Sequence, residues 1–443
     1  MAFFPAMMSR DSLDQWKEVV TFRFDDWHPA FVSFSYWLLS RIWFSPAIVC
    51  IAQMLALAAV FAYGMTKLQR RGLPLWGLVL ITLFFSLLPL HGFYVNTLFK
   101  DVPFAITILL LFIYTIEIIE SNGAWLASYR NIFYLSVSLA LIWLFRHNGL
   151  LTSLLTLIGL FIFYFSYRKK IAIGALACLG LVYLVKGPLY DVIKVNGKVY
   201  ALEIMLTHQI GAAIQAEVPL TAAEKQVIEQ IMPLSVWKEK YNPFNSDGLV
   251  FNEYFNYQYL AQPEARQQYI TTWFTLMKRN VPVLVEHQSK VSELVWRLDH
   301  QQESFTYAVH PLIDANDLGL KENSLLPSMK KLIMKVYNFT YARSFFRATI
   351  YRPAIYIYLS LLFIVASLWL LQDRRYLLAT IPFVSIVAGI ALTVPTQHVR
   401  YLYPCFLLAP FFGGYFLLYF DRYQARKAAT RHITPTSTAT NAA

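Results

Sequence analysis

The sequence predicts an all-α polytopic membrane protein with about nine transmembrane helices and a large, mainly helical domain outside the bilayer. Three observations carry that expectation. Of 443 residues, 57% are hydrophobic and only 14% charged, whereas a soluble domain averages roughly 25% charged. A chain with so little polar surface needs lipid to coat much of it. Nearly uncharged runs approaching a bilayer crossing recur along the chain, and the one long polar stretch between them has a poor strand signal.

In chain order the apolar runs cover residues 45–66, 73–90, 102–116, 132–145, 150–167, 171–185, 354–371, 376–394 and 401–420, the fourth being short. They divide the chain into a first extramembrane loop at 1–44, a membrane core in two parts at 45–187 and 353–420, a helical domain at 188–352 and a basic tail at 421–443. Within the first loop, FVSFSYWLLSRIWF reads as an amphipathic interfacial helix, with Trp37 and Trp43 at headgroup depth. In the long insertion, Thr221 and Glu224 form a capping box for a helix beginning at Ala222. Pro263 opens another helix to about Arg279, with Tyr269, Trp273, Leu276 and Met277 on one face. The final STATNAA is expected to be a disordered tail.

Cytoplasmic connections are enriched in lysine and arginine, so charge sets the expected orientation. The alternate connections KLQRRG, SYRKK, QDRR and the tail DRYQARKAATRH are basic, while ESNGAWLASYRN is a weaker vote. These belong inside, which puts the N-terminal stretch, the insertion and the connections around Lys100, Arg146 and Arg400 outside. The expected location is a bacterial cytoplasmic membrane, with the large domain periplasmic and the C-terminus cytoplasmic. Residues 1–44 hold no full span, yet this topology places them outside; either the short N-terminus is translocated unaided or a further span precedes Phe3, and the charge pattern favours the second.

Several functional classes find no support. The cysteines Cys50, Cys178 and Cys405 fall within apolar runs and offer neither a disulfide framework nor metal spacing. His208, His287 and His310 have no ligand spacing and read as structural. Asn338-Phe339-Thr340 is a glycosylation sequon that matters only in a secretory pathway. No Walker loop, GxGxxG fingerprint, GxSxG elbow or HExxH helix is present, and no cleavable signal sequence is visible. The middles of the apolar runs are almost free of ionisable residues, which weakens a transporter reading.

Charge collects instead at the outer rim, in Lys100 and Asp101, Arg146, His147 and Asn148, Lys186, and His398 and Arg400. Cations there run against the positive-inside tendency; a shared anion such as a lipid-carrier phosphate would explain the set, and independent snorkelling of each to lipid headgroups is the alternative. Acids cluster in the N-terminal stretch, where Asp11 and Asp14 are followed by Asp25, Asp26 and His28. One such carboxylate can act as general base toward an acceptor hydroxyl. Asp25, Asp26 and His28 are candidate ligands for a divalent cation, magnesium or manganese, held against a phosphate.

These pieces, in their order along the chain, resemble the GT-C superfamily of membrane glycosyltransferases, and most closely a poorly characterised bacterial branch of it. The matching pieces are Asp11-Ser12 with Gln15, Asp26-Trp27-His28-Pro29, Lys100-Asp101-Val102-Pro103-Phe104, Arg146-His147-Asn148-Gly149 and Arg400-Tyr401-Leu402-Tyr403-Pro404. The resemblance covers the membrane core on both sides of the insertion. It implies transfer of a sugar from a polyprenyl-phosphate carrier to an envelope glycan, lipid or protein acceptor, with inversion at the anomeric carbon. Asp11 would be the base and Asp26 a second catalytic carboxylate, while Lys100, Arg146 and Arg400 would neutralise the carrier phosphate. Gln15, Asp25, His28, Asp101, His147, Asn148, His398 and Tyr401 would line the substrates. The chain departs from the superfamily in lacking a transmembrane helix immediately before the acid. Expected partners are membrane lipid, the lipid-linked sugar and its acceptor, with no nucleic acid. The alternatives are a flippase or transporter of a lipid-linked intermediate, or a non-catalytic envelope assembly subunit.

Overall fold

Every apolar run becomes a helix, as expected of a backbone that must satisfy its own hydrogen bonds in hydrocarbon. The computed structural model describes residues 2–197, 200–299 and 308–433, so the STATNAA stretch lies outside the described residues. Among the described residues there is no strand, and only isolated bridges pair extended segments. The first helices are α1 (Arg10–Thr21), α2 (Ala30–Ser40), α3 (Ala47–Arg70), α4 (Leu75–Leu87), α5 (Pro89–Val95), α6 (Asp101–Glu120), α7 (Tyr129–Phe145), α8 (Gly149–Phe163) and α9 (Arg168–Leu184). The insertion contributes α10 (Ala201–Gln215), α11 (Ala222–Ile231), α12 (Leu234–Lys240), α13 (Pro263–Arg279), α14 (Val281–Val291) and α15 (Pro327–Ala342). The chain returns to the core with α16 (Pro353–Leu371), α17 (Leu377–Thr393) and α18 (Tyr403–Ile433).

Six helical segments among the described residues are long and apolar enough to cross a membrane, and a seventh crossing is available if α4 and α5 count as one bent span. The chain is a multi-pass membrane protein. The expected second run breaks at Leu88, where α4 and α5 meet at 57°. Pro89 lacks a donor N–H and forces its predecessor toward extended geometry, and Leu88 has φ −72° and ψ 108°. The fourth and fifth runs form α7 and α8, which at 17 and 15 residues are shorter than a full crossing.

Burial distinguishes centre from periphery. In α6, 78% of the apolar window is buried, and in the segment containing α18, 72%; for α3, the α9 segment and α16 the shares are 28%, 22% and 33%. The bundle is therefore built around α6 and α18, with α16 packed along α18 and α7 along both α6 and α9. At the end remote from the long insertion, Lys67 of α3 and Arg71, just past its last residue, pair with Glu117 of α6 at 2.8 and 2.7 Å. Glu120 there accepts from Arg422 of α18 at 3.1 Å.

The first loop differs from its expectation. Its helix stops at Ser40, before Pro46, rather than running through Phe44. Trp37 stacks on Phe34, whereas Trp43 lies beyond the helix and stacks on Phe4. The insertion follows its local signals: Thr221 and Glu224 cap α11 reciprocally at 2.9 and 3.2 Å. Tyr269, Leu276 and Met277 of α13 are buried with Ile228 and Trp237 in a separate apolar cluster, and Trp273 packs against it. The insertion touches the core near the end of α17, where Ser246 bonds Thr396 at 2.9 Å.

Candidate functional site

Helix ends from distant parts of the chain converge at the end of the bundle that carries the insertion. Asp11 lies in the first turn of α1, where unpaired backbone N–H groups favour a carboxylate. The Met7 N–H donates to the Asn96 carbonyl at 2.8 Å and the Ser12 hydroxyl to the Leu98 carbonyl at 3.1 Å. These bonds pin α1 against the segment that leads into Lys100 and Asp101. Asp101 opens α6 and its side chain is only 1% exposed. Arg146 follows the last residue of α7, where the carbonyl end of a helix favours a cation, and it donates to Asp101. The chain then turns sharply into α8 at Gly149, where an added Cβ would sit 2.0 Å from the Ile142 carbonyl oxygen.

Arg400, in a 3-10 turn ahead of α18, closes the arrangement. Its guanidinium donates to Asp11 Oδ2 at 2.5 Å, and its Nε lies 3.6 Å from Asp101 Oδ2. Asp11, Arg400, Asp101 and Arg146 thus form one alternating chain of charge. The Tyr401 ring faces both guanidiniums, 4.7 Å from Arg146 and 5.4 Å from Arg400. Lys100 Nζ is 2.5 Å from His28 Nδ1, and His28 Nε2 is 3.8 Å from Asp11 Oδ1. An ammonium is only a donor, so Nδ1 accepts and the neutral ring carries its proton on Nε2, toward Asp11.

The electrostatics follow from burial among cations. Burial alone would raise the Asp11 carboxyl, but the Arg400 and Lys100 cations hold it well below the usual carboxylate range. Burial pushes Lys100 down to about 8, although Asp101 and Asp11 oppose this. Burial and then the Lys100 cation take His28 down to about 3. Burial and Arg400 do the same to His398, also to about 3, and its ring lies edge-on to Tyr401 at 5.4 Å.

Asp26 occupies an adjoining part of the cluster, with Lys186 at 3.8 Å. Its carboxylate accepts from the Ala30 N–H at 3.0 Å and the Tyr190 hydroxyl at 3.2 Å, which commits it to holding the start of α2 against the end of α9. Backbone pairing of Phe24 and Asp26 with Asn196 fixes this stretch. His147 Nε2 lies 3.1 Å from the Asp26 carbonyl and joins the two parts. Asp25 turns away: it accepts from the Trp27 N–H at 2.6 Å and packs on Gly197, where a Cβ would meet its carboxylate at 2.1 Å. Asp25, Asp26 and His28, the candidate cation ligands, thus face separate partners. Each is engaged elsewhere, and among the described residues no three His, Cys, Asp or Glu side chains form a metal-binding group. Gln15 is buried, and its Nε2 has no hydrogen-bond partner among the described residues.

Asp11 is the open carboxylate of the set, 36% exposed against 17% for Asp26 and 1% for Asp101. Next to Arg146 an apolar groove of about 300 Å³ runs between α8 and α17. Arg146, His147, Asn148 and Tyr401 line it together with Leu151, Leu154, Ile386 and Ile390, so charge meets apolar surface within one cavity. A second apolar cleft of about 380 Å³ shares Leu150 and Leu154 with the first and continues across α8. The arrangement can hold an anion on its cations while accommodating an attached hydrocarbon chain.

Lys186 was visible as a rim cation, but Glu18 and Tyr190 escaped sequence reasoning. Glu18 receives the Asp25 N–H at 3.1 Å, and burial pushes its carboxyl up to about 7. Its i, i+4, i+7 spacing with Asp11 and Gln15 was the available signal. His208 and His287 also meet, edge to face at 4.3 Å within the insertion, which nothing in their spacing indicated.

Fold and site together define a multi-pass, all-helical membrane protein with a charged cluster at one end of its bundle. The chain belongs to DUF6020, a family of unknown function, which matches residues 27–433. That match includes His28, Lys100, Asp101, Arg146 and Arg400 and begins after Asp11 and Asp26. No protein of curated function and no solved structure matches the chain.

Proposed function

We propose that this protein is a GT-C-type glycosyltransferase, moving a sugar from a polyprenyl-phosphate carrier to an envelope glycan, lipid or protein acceptor. The reading places it in a bacterial cytoplasmic membrane with about nine crossings, counting the short α7 and α8, and with site and insertion on the periplasmic face. Charge supports that orientation, because Lys67, Arg70, Arg71, Arg168, Lys169, Lys170, Arg374 and Arg375 belong to connections at the opposite end.

One observation carries the reading: a partly exposed carboxylate and three cations gather in one cluster, and one of those cations, Arg146, also lines an apolar groove. Such a site suits an anionic headgroup on a long hydrocarbon tail better than a freely soluble substrate. In transfer, the acceptor oxygen bonds to the anomeric carbon as that carbon's bond to the phosphate oxygen breaks. The hydroxyl proton passes to Asp11, and the bond's electrons leave with the phosphate, stabilised by Lys100, Arg146 and Arg400.

The Asp11–Arg400 pair also orders events. With Arg400 on Asp11, the carboxylate is too weak a base to work well. A phosphate that draws Arg400 away removes the strongest of the cations lowering Asp11, so donor binding raises the basicity of the carboxylate. Asp11→Asn tests the proposal directly, assayed by transfer from a polyprenyl-phosphate sugar in reconstituted membranes. A general base is worth roughly 100- to 10,000-fold, so turnover should fall by at least 100-fold while donor binding persists. Undiminished turnover would remove Asp11 from the chemistry.

A further inference from the structure

A different part of the molecule carries an inference independent of transferase activity. Helix α15 has three distinct sides. Ile333, Met334, Tyr337 and Tyr341 pack on the membrane core, with Tyr337 edge-on to Phe93 at 5.2 Å. Met329, Leu332, Val336 and Phe339, spaced i, i+3, i+7 and i+10, form a second stripe, each about half exposed. Lys331, Asn338 and Lys335 occupy the sector between these two. Phe345, in the turn that follows, is 71% exposed.

The charge of this segment is one-sided. Residues 327–352 contain six lysines and arginines and no acid. Lys330 pairs with Glu322 and Arg352 with Glu293. Among the described residues no carboxylate pairs with Lys331, Lys335, Arg343 or Arg347. Membrane helix α16 begins immediately afterwards, at Pro353, so α15 lies where the bundle emerges from hydrocarbon. An exposed apolar stripe edged by cations, at that depth, matches a helix lying in the bilayer interface.

We propose that α15 and the turn to Arg352 form an anionic-lipid docking surface, with Met329, Leu332, Val336 and Phe339 in the acyl boundary and Lys331, Lys335, Arg343 and Arg347 on lipid headgroups. The cations identify the occupant. A zwitterionic surface would satisfy the stripe but leave four like charges uncompensated, whereas anionic headgroups answer both features.

The full-length protein is reconstituted in phosphatidylcholine vesicles with or without phosphatidylglycerol, carrying an environment-sensitive fluorophore at Met329→Cys or, as an internal reference, Asn338→Cys. The native cysteines are buried. Lipid-borne nitroxide should quench position 329 several-fold more than 338. Spin-labelled phosphatidylglycerol should associate in preference to phosphatidylcholine, and Lys331→Glu/Lys335→Glu/Arg347→Glu should abolish that preference. Equal quenching at the two positions would overturn the proposal. So would quenching at 329 that appears only at high protein density, the mark of a second copy on the stripe, or an unchanged lipid preference in a triple variant that retains its helix content.

Discussion

Replacing Arg400 with glutamine gives the sharpest test of how the charged cluster works. In the resting arrangement the guanidinium holds Asp11 at 2.5 Å and reaches Asp101 at 3.6 Å, with its side chain 11% exposed. Solvent screens such a buried group little, so a charge-assisted hydrogen bond from it to a phosphate is worth about 1.5–3 kcal/mol. That converts to roughly 10- to 150-fold weaker binding of a polyprenyl phosphate. The effect on folding should be modest, because Asp101 keeps Arg146 and Asp11 retains His28 Nε2 at 3.8 Å and access to water. Arg400→Lys should be intermediate, since an ammonium supplies charge without the planar fork. Titration of fluorescent polyprenyl phosphate into reconstituted protein, with thermal unfolding as a control, measures both quantities. A folded Arg400→Gln protein with wild-type affinity would refute the assignment of the anion to this cluster.

Three further outcomes follow from the same geometry. Lys100 titrates near 8, so lipid-phosphate affinity should decline as pH rises through 8 and its ammonium is lost, while Lys100→Arg should hold its affinity above that point; binding isotherms across pH 6–10 decide it. Gly389 lines the groove and has nothing within 4 Å of where a Cβ would stand, so Gly389→Phe should weaken binding of long-chain polyprenyl phosphate at least tenfold while sparing a short-chain analogue. The raised pKa of Glu18 means that the folded state holds its proton more tightly than the unfolded state does. That stabilising contribution is complete below about 4.5 and lost as pH rises through about 7. Glu18→Gln should therefore raise the thermal midpoint at pH 8 and leave it nearly unchanged at pH 4, a comparison made by fluorescence-monitored melting.

Much of the architecture was legible because it depends on neighbours in sequence. Apolar runs become helices wherever they lie, since an unpaired backbone group in lipid is costly. The α11 cap is likewise a local exchange between Thr221 and Glu224. The second run broke where Pro89 interrupts it, and the loop helix ended ahead of Pro46. The first break carried a proline signal that overall hydrophobicity obscures.

The candidate site was legible as a set of residue types at one predicted membrane face. Asp11, His28, Lys100, Asp101, Arg146 and Arg400 were all singled out, and the fold brings them together. Their individual environments were not accessible from spacing. Asp26, an equal candidate to Asp11 by composition, is occupied by the Ala30 N–H and Tyr190, and the Asp25, Asp26 and His28 grouping is pulled apart by separate partners.

The sequence by itself determined the membrane class, the helices and the sorting of charge to the two ends of the bundle, because each follows from the transfer energies of side chains within one or two turns. Tertiary structure alone decided which carboxylate stays open, which cation masks it and that Arg146 of the same cluster lines an apolar groove. Those outcomes rest on pairings such as Asp11 with Arg400, 389 positions apart. Whether such groups meet depends on the packing of α6, α8, α17 and α18, a property that no local spacing encodes.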